Sequence, residues 1–290
     1  MWGMNCVIVL RGLFMIENRT RQLNGVQAEG RRACLQWALS ALVAGAVPAA
    51  LAQDSKPRMK VGFIARYQPY SFVQPDGRLT GFDVEVVKAL LEVAGYELEP
   101  VMDTLTHLRT KLQNGEIAFI GNQLLVTPEN RRYFDFVRSY ATIQLVSVLH
   151  EDDDRDFLSL DDFVGKKLGV LANTGIEDQA RGALGKAVHA FERIEDAFKA
   201  LADRKIDAVL EENLIAEYFI DRDGLPLKVG VPFASPIRVG LAVPKGHKEM
   251  ENRLTQAVQS LVKDKNFKTI SNRWFGYDVS RPRVSHAAST

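Results

Sequence analysis

The polar side chains in this sequence with the means to do chemistry stand at the ends of apolar runs. Asn122-Gln123 closes one such run, and its two amides donate and accept hydrogen bonds in one place. Satisfied structural amides at a buried strand end are the competing reading. Thr174-Gly175 stands at a strand-to-helix turn, where free backbone amides suit an anion and where a threonine equally serves as an ordinary helix cap. Asp207-Ala208-Val209-Leu210 leads into Glu211-Glu212, so Glu212 opens a helix, a position that favours acids for the helix's own sake. Tyr67 and Tyr70 offer aromatic walls; Tyr67 is read as cleft, Phe72 as core, and Tyr70 stays open between the two. Arg66, Arg131 and Arg238 are candidate anion ligands, although an arginine is ordinarily a solvated surface group.

Other chemistries lack their residues. The five histidines are scattered, and His107 reads as a surface helix residue. No zinc motif, phosphate-binding glycine loop or Gly-x-Ser-x-Gly elbow is present. The acidic run 151–156 lacks the glycine and the final glutamate of a calcium loop, so a solvated connector is expected. A net charge of +1 gives no footprint for nucleic acid. No metal, cofactor or catalytic residue is assigned, and the chain is not read as an enzyme.

The elements that must position these residues begin after an expected leader. Arg31-Arg32, an apolar run over 33–47 and Ala50-Leu51-Ala52 are the parts of a secretory signal peptide. The run is shorter than the roughly 20 apolar residues a membrane span needs. Cleavage near Ala52 is expected, with 1–52 comprising an N-terminal extension plus the signal. Both cysteines, Cys6 and Cys34, fall in that part, so the mature chain has no thiol chemistry. Beyond it, strands are read at 60–64, 96–101, 117–121, 168–171, 187–191, 207–210 and 239–243. Helices are read at 83–94, 105–114, from Pro128, 176–183, 194–204 and 214–220. The apolar stripe Met250, Leu254, Ala257, Val258, Leu261 and Val262 makes the end helical. The alternation argues for α/β architecture with parallel strands. Residues 279–290 read as a flexible tail.

Several segments in order resemble the bacterial extracellular solute-binding proteins of family 3, the receptors for polar amino acids. They are Pro69-Tyr70-Ser71-Phe72; Leu79-Thr80-Gly81-Phe82-Asp83-Val84-Glu85; Gly121-Asn122-Gln123 with Thr127-Pro128-Glu129; and Tyr133-Phe134-Asp135-Phe136. Leu160-Asp161-Asp162-Phe163-Val164-Gly165, Gly240-Leu241-Ala242-Val243-Pro244 and Arg273-Trp274-Phe275-Gly276 complete the series. Asn-Gln at 122–123 is most like the cystine-binding branch.

The resemblance implies a type II two-lobed fold, each lobe a mainly parallel sheet flanked by helices, joined by two hinge strands. Lobe 1 would hold 58–147 and 237–278, and lobe 2 would hold 148–236. It implies an exported, periplasmic receptor of an ABC importer, with a small-molecule ligand, a membrane permease as partner, no nucleic acid, and action as a monomer. It also implies an acidic residue for a ligand ammonium, at Glu212, and an arginine for its carboxylate. That arginine position holds Asn130, followed by Arg131, and Leu125 replaces a nearby hydroxyl. The ligand set expected is Tyr67, Asn122, Gln123, Asn130, Arg131, Thr174 and Glu212. The alternatives are an enzyme on the same fold, resembling cyclohexadienyl dehydratases, with Glu212 as the acid, and a sensor module for a membrane partner.

Overall fold

A computed structural model describes residues 56–233 and 236–281. The expected leader, its cleavage site and residues 282–290 lie outside them. The chain opens with β1 (Arg58–Ile64), β2 (Arg66–Tyr67), β3 (Ser71–Val73), β4 (Leu79–Thr80), α1 (Phe82–Val93), β5 (Glu97–Asp103), α2 (Leu105–Gln113) and β6 (Phe119–Leu125). Next come α3 (Asn130–Tyr133), β7 (Phe134–Phe136), β8 (Leu145–His150), β9 (Leu168–Leu171), α4 (Gly175–Leu184), β10 (Val188–Phe191), α5 (Ile194–Ala202) and β11 (Ala208–Glu212). It closes with α6 (Asn213–Asp223), β12 (Leu227–Pro232), β13 (Val239–Pro244), α7 (Lys248–Leu261) and α8 (Lys265–Phe275).

Two five-stranded sheets result, ordered β5-β1-β6-β13-β7 and β10-β9-β11-β8-β12. In each, one strand runs against the other four: β13 in the first and β8 in the second. The fold class read from the sequence is therefore the one observed. Strand burial follows the residues. In β1, Met59, Val61 and Phe63 are buried at alternate positions while Arg58 and Lys60 face water, the pattern of a strand covered on one face. In β6 and β11 every residue up to the last of β6 is buried, because helices cover both faces. The first core gathers Leu108, Leu112, Ile120 and Phe134; the second gathers Phe163, Leu168, Val170 and Leu210.

The second sheet is an insertion into the first. Residues 137–144 carry the chain across, and Ile237 and Arg238 lie on its way back. The two crossings run side by side, bridged at Ile143 and Ile237, where the Ile237 amide donates to the Ile143 carbonyl at 2.7 Å. Two glycines permit close approaches, one at the outgoing crossing and one at the start of α1. A Cβ on Gly240 would lie 2.2 Å from the Val137 carbonyl oxygen. Gly81 has a φ of 137°, and a Cβ there would lie 2.2 Å from the Tyr70 carbonyl oxygen. That approach lets the Asp83 amide take the Tyr70 carbonyl at 2.9 Å and fixes Tyr70 at the start of α1.

Several details differ from the sequence reading. β8 and β12 were not expected, and β8 starts at Leu145, ahead of a crossing placed at 148. Residues 128–129 form a turn, and α3 begins at Asn130 rather than at Pro128. The tail reading fails for its first residues. Val279 is fully buried, its amide donates to Ser271 Oγ at 2.9 Å, and its carbonyl accepts from the Thr142 amide at 2.7 Å. One apolar side chain in a polar stretch gives no periodicity to read, yet it seals the first crossing. The acidic run is the connector expected, held by pairs such as Asp152 with Arg204 at 2.5 Å. No helix among the described residues is long and apolar enough to cross a membrane.

Candidate functional site

β11 delivers two adjacent carboxyls to the same end of its sheet. Strand alternation sends Glu211 and Glu212 to opposite faces, yet both are buried, at 2% and 5% exposure. Glu212 Oε2 accepts from the Tyr70 hydroxyl at 2.9 Å. The half-buried Tyr67 lies with its ring 4.9 Å from that of Tyr70, and its hydroxyl also faces Glu212. Glu211 Oε1 accepts from the Glu212 amide at 2.8 Å. Tyr70 comes from the first sheet's side and Glu212 from the second, so this bond joins the two halves.

Asp83 lies beside this group, at the start of α1 and fully buried. Its Oδ1 accepts from the Tyr140 hydroxyl at 2.6 Å, and its Oδ2 accepts from Asn122 Nδ2 at 3.0 Å and from the Gln123 amide at 3.2 Å. Asn122 Nδ2 also donates to Ser71 Oγ at 2.8 Å, and its Oδ1 accepts from the Ile64 amide at 2.8 Å. The Asn122 side chain is thus fully used inside the fold, as the structural reading of the pair has it. Gln123 Oε1 accepts from the Ser139 hydroxyl and from the Tyr140 amide, at 3.3 Å for the latter. Gln123 Nε2 is buried with no hydrogen-bond partner.

Electrostatics follow from burial without compensation. Burial pushes Asp83 up to about 6, against the pull of its Tyr140, Asn122 and Gln123 donors. Glu212 rises to about 7, chiefly through burial, with the Tyr70 bond opposing and Asp83 adding to the rise. Glu211 rises to about 8 through burial and its repulsion with Glu212. The hydroxyls of Tyr67, Tyr70 and Tyr140 are pushed well above their ordinary range, so they remain donors. No lysine, arginine or histidine contributes to the shifts of the three carboxyls. A centre of this kind is neutralised by protons or by a cation brought to it. No group of three or more His, Cys, Asp or Glu is placed to hold a metal among the described residues.

The other expected site residues stand apart from this centre. Asn130 turns inward: its Nδ2 donates to the Leu125 carbonyl at 2.9 Å, and its amide donates to Thr127 Oγ1 at 3.1 Å. Arg131 lies over the Phe136 ring, 5.9 Å from its centroid. Thr174 is a cap, accepting from the Glu177 amide at 3.2 Å and donating to the Leu171 carbonyl at 2.8 Å. Glu177 in turn accepts from the Asn173 amide at 2.8 Å, so this helix start already carries a carboxylate of its own. Of the seven residues, Tyr67 and Glu212 meet directly, and Asn122 and Gln123 join them through Asp83. Arg66 is exposed on β2. Phe72 meets Trp274 edge-on at 6.2 Å, and Phe275 packs on Phe82 at 5.0 Å. Asp83, Glu211 and Tyr140 were not singled out from sequence. The one available signal was Glu211 itself, an acid continuing the apolar run Ala208-Val209-Leu210.

A family model described as bacterial extracellular solute-binding proteins, family 3, matches residues 59–277. An L-cystine-binding protein of Escherichia coli (strain K12) is 26% identical over 260 residues, covering 87% of this chain and 98% of that protein. The unliganded, open crystal structure of the L-cystine solute receptor of Neisseria gonorrhoeae superposes with a TM-score of 0.65 at 25% identity, covering 78% of this chain and 95% of that one. An ancestral amino-acid-binding protein, AncCDT-1, described as a precursor of cyclohexadienyl dehydratase, gives 0.62 at 26% identity, covering 75% and 95%.

Proposed function

The chain belongs to family 3 of the bacterial extracellular solute-binding proteins, and from that premise we propose how it serves as the substrate-binding component of an ABC transporter. It captures an amino acid or amino-acid-like solute between its two halves and docks the ligand ammonium on Glu212. The observation that carries this is the buried carboxyl centre of Glu212, Glu211 and Asp83, ringed by tyrosine donors and lacking any cation of its own. An ammonium brings the missing charge, and Tyr70 and Tyr67 yield their bonds to it. The ligand carboxylate, where there is one, is not taken at Asn130, whose amide is spent on Leu125. The ligand is therefore an amine, or an amino acid whose carboxylate is masked or left to water. Relatives named for L-cystine supply amino-acid probes for the site.

The same reading includes export by the expected leader, residence in the periplasm, action as a monomer and delivery to a membrane permease. The paired crossings at Ile143 and Ile237 support closure about that line. Small-angle scattering with a bound ligand should show a smaller radius of gyration, with a higher melting temperature alongside. Saturation with ligand at unchanged dimensions would contradict closure. A second reading, a dehydratase on the same fold, draws on one feature: Glu212, with its pKa near 7, holds a proton to give to a leaving hydroxyl. Product formed on incubation with prephenate or arogenate would select it.

A further inference from the structure

Arg131, Arg138 and Arg238 line one pocket of about 290 Å³, together with Phe136, Ser139 and Ile237. The pocket lies between α3, the end of β7 and the start of β13. None of the three guanidiniums meets a carboxylate among the described residues. Some arginines elsewhere do so, as Arg181 with Glu177 and Arg273 with Glu85, each at 2.7 Å, and others such as Arg66 and Arg132 do not; these three are set apart by sharing one cavity. Three like charges around one cavity repel unless an anion is among them. The setting extends next door. Arg138 and Ser139 also line an adjoining cavity of about 700 Å³ with Lys263, Lys268 and Arg281. Its one acidic residue, Asp278, is engaged by the Ser280 amide at 3.0 Å and the Ser280 hydroxyl at 2.6 Å.

We propose that the Arg131–Arg138–Arg238 pocket binds a small oxyanion of the phosphate or dicarboxylate class, separately from the carboxyl centre. Guanidinium forks match such oxygens in pairs, and a phosphate or dicarboxylate has enough of them for three forks. Phe136 steadies Arg131 from below, and Ser139 adds a hydroxyl. The placement gives the anion a consequence. Arg138 stands on the outgoing crossing and Arg238 on the returning one, and the Arg238 carbonyl accepts from the Val126 amide at 2.8 Å. An anion held by both arginines ties the crossings together at the first sheet. The two sites carry opposite charge, so each excludes the other's ligand.

The test uses inorganic phosphate and succinate, titrated calorimetrically into the full exported protein at fixed ionic strength, with chloride as the balancing salt. Saturable binding is expected for phosphate or succinate. Arg138→Gln with Arg238→Gln should weaken it at least tenfold, and Arg238→Lys, which keeps the charge and removes the fork, should weaken it severalfold. Amine binding at Glu212 should be unchanged in each variant, which separates this site from the receptor function. Circular dichroism checks that the variants are folded, and Arg238→Lys alone decides if the double variant is not. Oxyanions that do no better than chloride would overturn the proposal. So would binding that survives these changes and is lost on Lys263→Gln with Lys268→Gln.

Discussion

Glu212→Gln is expected to raise the melting temperature of the ligand-free protein and to weaken ligand binding about a hundredfold or more. The two effects have opposite signs because the same carboxyl is costly in the empty protein and useful in the complex. In the empty protein, burial has pushed Glu212 up to about 7, so at pH 8 it is held ionised against its surroundings. An amide of the same shape removes that cost, of the order of a few kcal/mol at about 1.4 kcal/mol per unit of pKa. It also keeps an oxygen for the Tyr70 hydroxyl. In the complex, two charge-assisted bonds to an ammonium are lost, each worth about 1.5–3 kcal/mol. At about 1.4 kcal/mol per decade, that is roughly two to four decades of affinity. Thermal melting at pH 8 and calorimetric titration read the two halves independently. A variant that melts lower, or one that binds as tightly as the parent, contradicts the role given to Glu212.

The affinity for ligand should rise about tenfold per pH unit up to about pH 7 and level off above it. Docking an ammonium requires Glu212 to be ionised, and below about 7 the empty protein holds a proton there that binding must expel. The stability of the empty protein runs the other way. Asp83, Glu212 and Glu211 have folded values of about 6, 7 and 8, all raised from their ordinary values of 3.8, 4.5 and 4.5. The folded state therefore holds more protons than the unfolded one across that range. The contribution is complete below about pH 4 and is lost as the pH rises toward about 8. Calorimetry in buffers of differing ionisation enthalpy counts the protons released on binding. Affinity that is flat, or that falls, between about pH 5.5 and 7 contradicts the assignment. In Glu212→Gln the dependence of affinity on pH should shrink to what Asp83 and Glu211 contribute.

Much of this architecture was legible in the residues. Alternating burial in β1, the stripe of α7 and the glycines that close helices are local features, and local features survive into the fold. β8 escaped because Ser147 interrupts its apolar run, and β12 because Gly230 and Pro232 weaken the strand signal. The site was half legible. Glu212 was read through the order of motifs and Tyr67 as an aromatic wall, and the fold brings the two side chains together. Asp83 was not, because its meaning lies in partners 39, 40 and 57 positions away. From sequence it is one of two acids in the first turn of a helix. Thr174 shows the converse: a site reading and a cap reading share one local sequence, and the cap is what folds.

The claim that this cleft reads an ammonium and not an α-carboxylate is tested most directly by calorimetric titration with matched ligands. Cystamine, L-cystine and dithiodipropionate share one skeleton and carry amines only, both groups, and carboxylates only. Agmatine and L-arginine extend the comparison. The account predicts that, in each set that binds, the amine binds at least as tightly as its amino acid, while the deaminated acid does not displace the amine. Asn130→Arg, which places a guanidinium where Asn130 now closes on Leu125, should reverse the order in favour of the amino acid. Dithiodipropionate displacing cystamine, or an amino acid preferred tenfold over its amine by the unaltered protein, would contradict it.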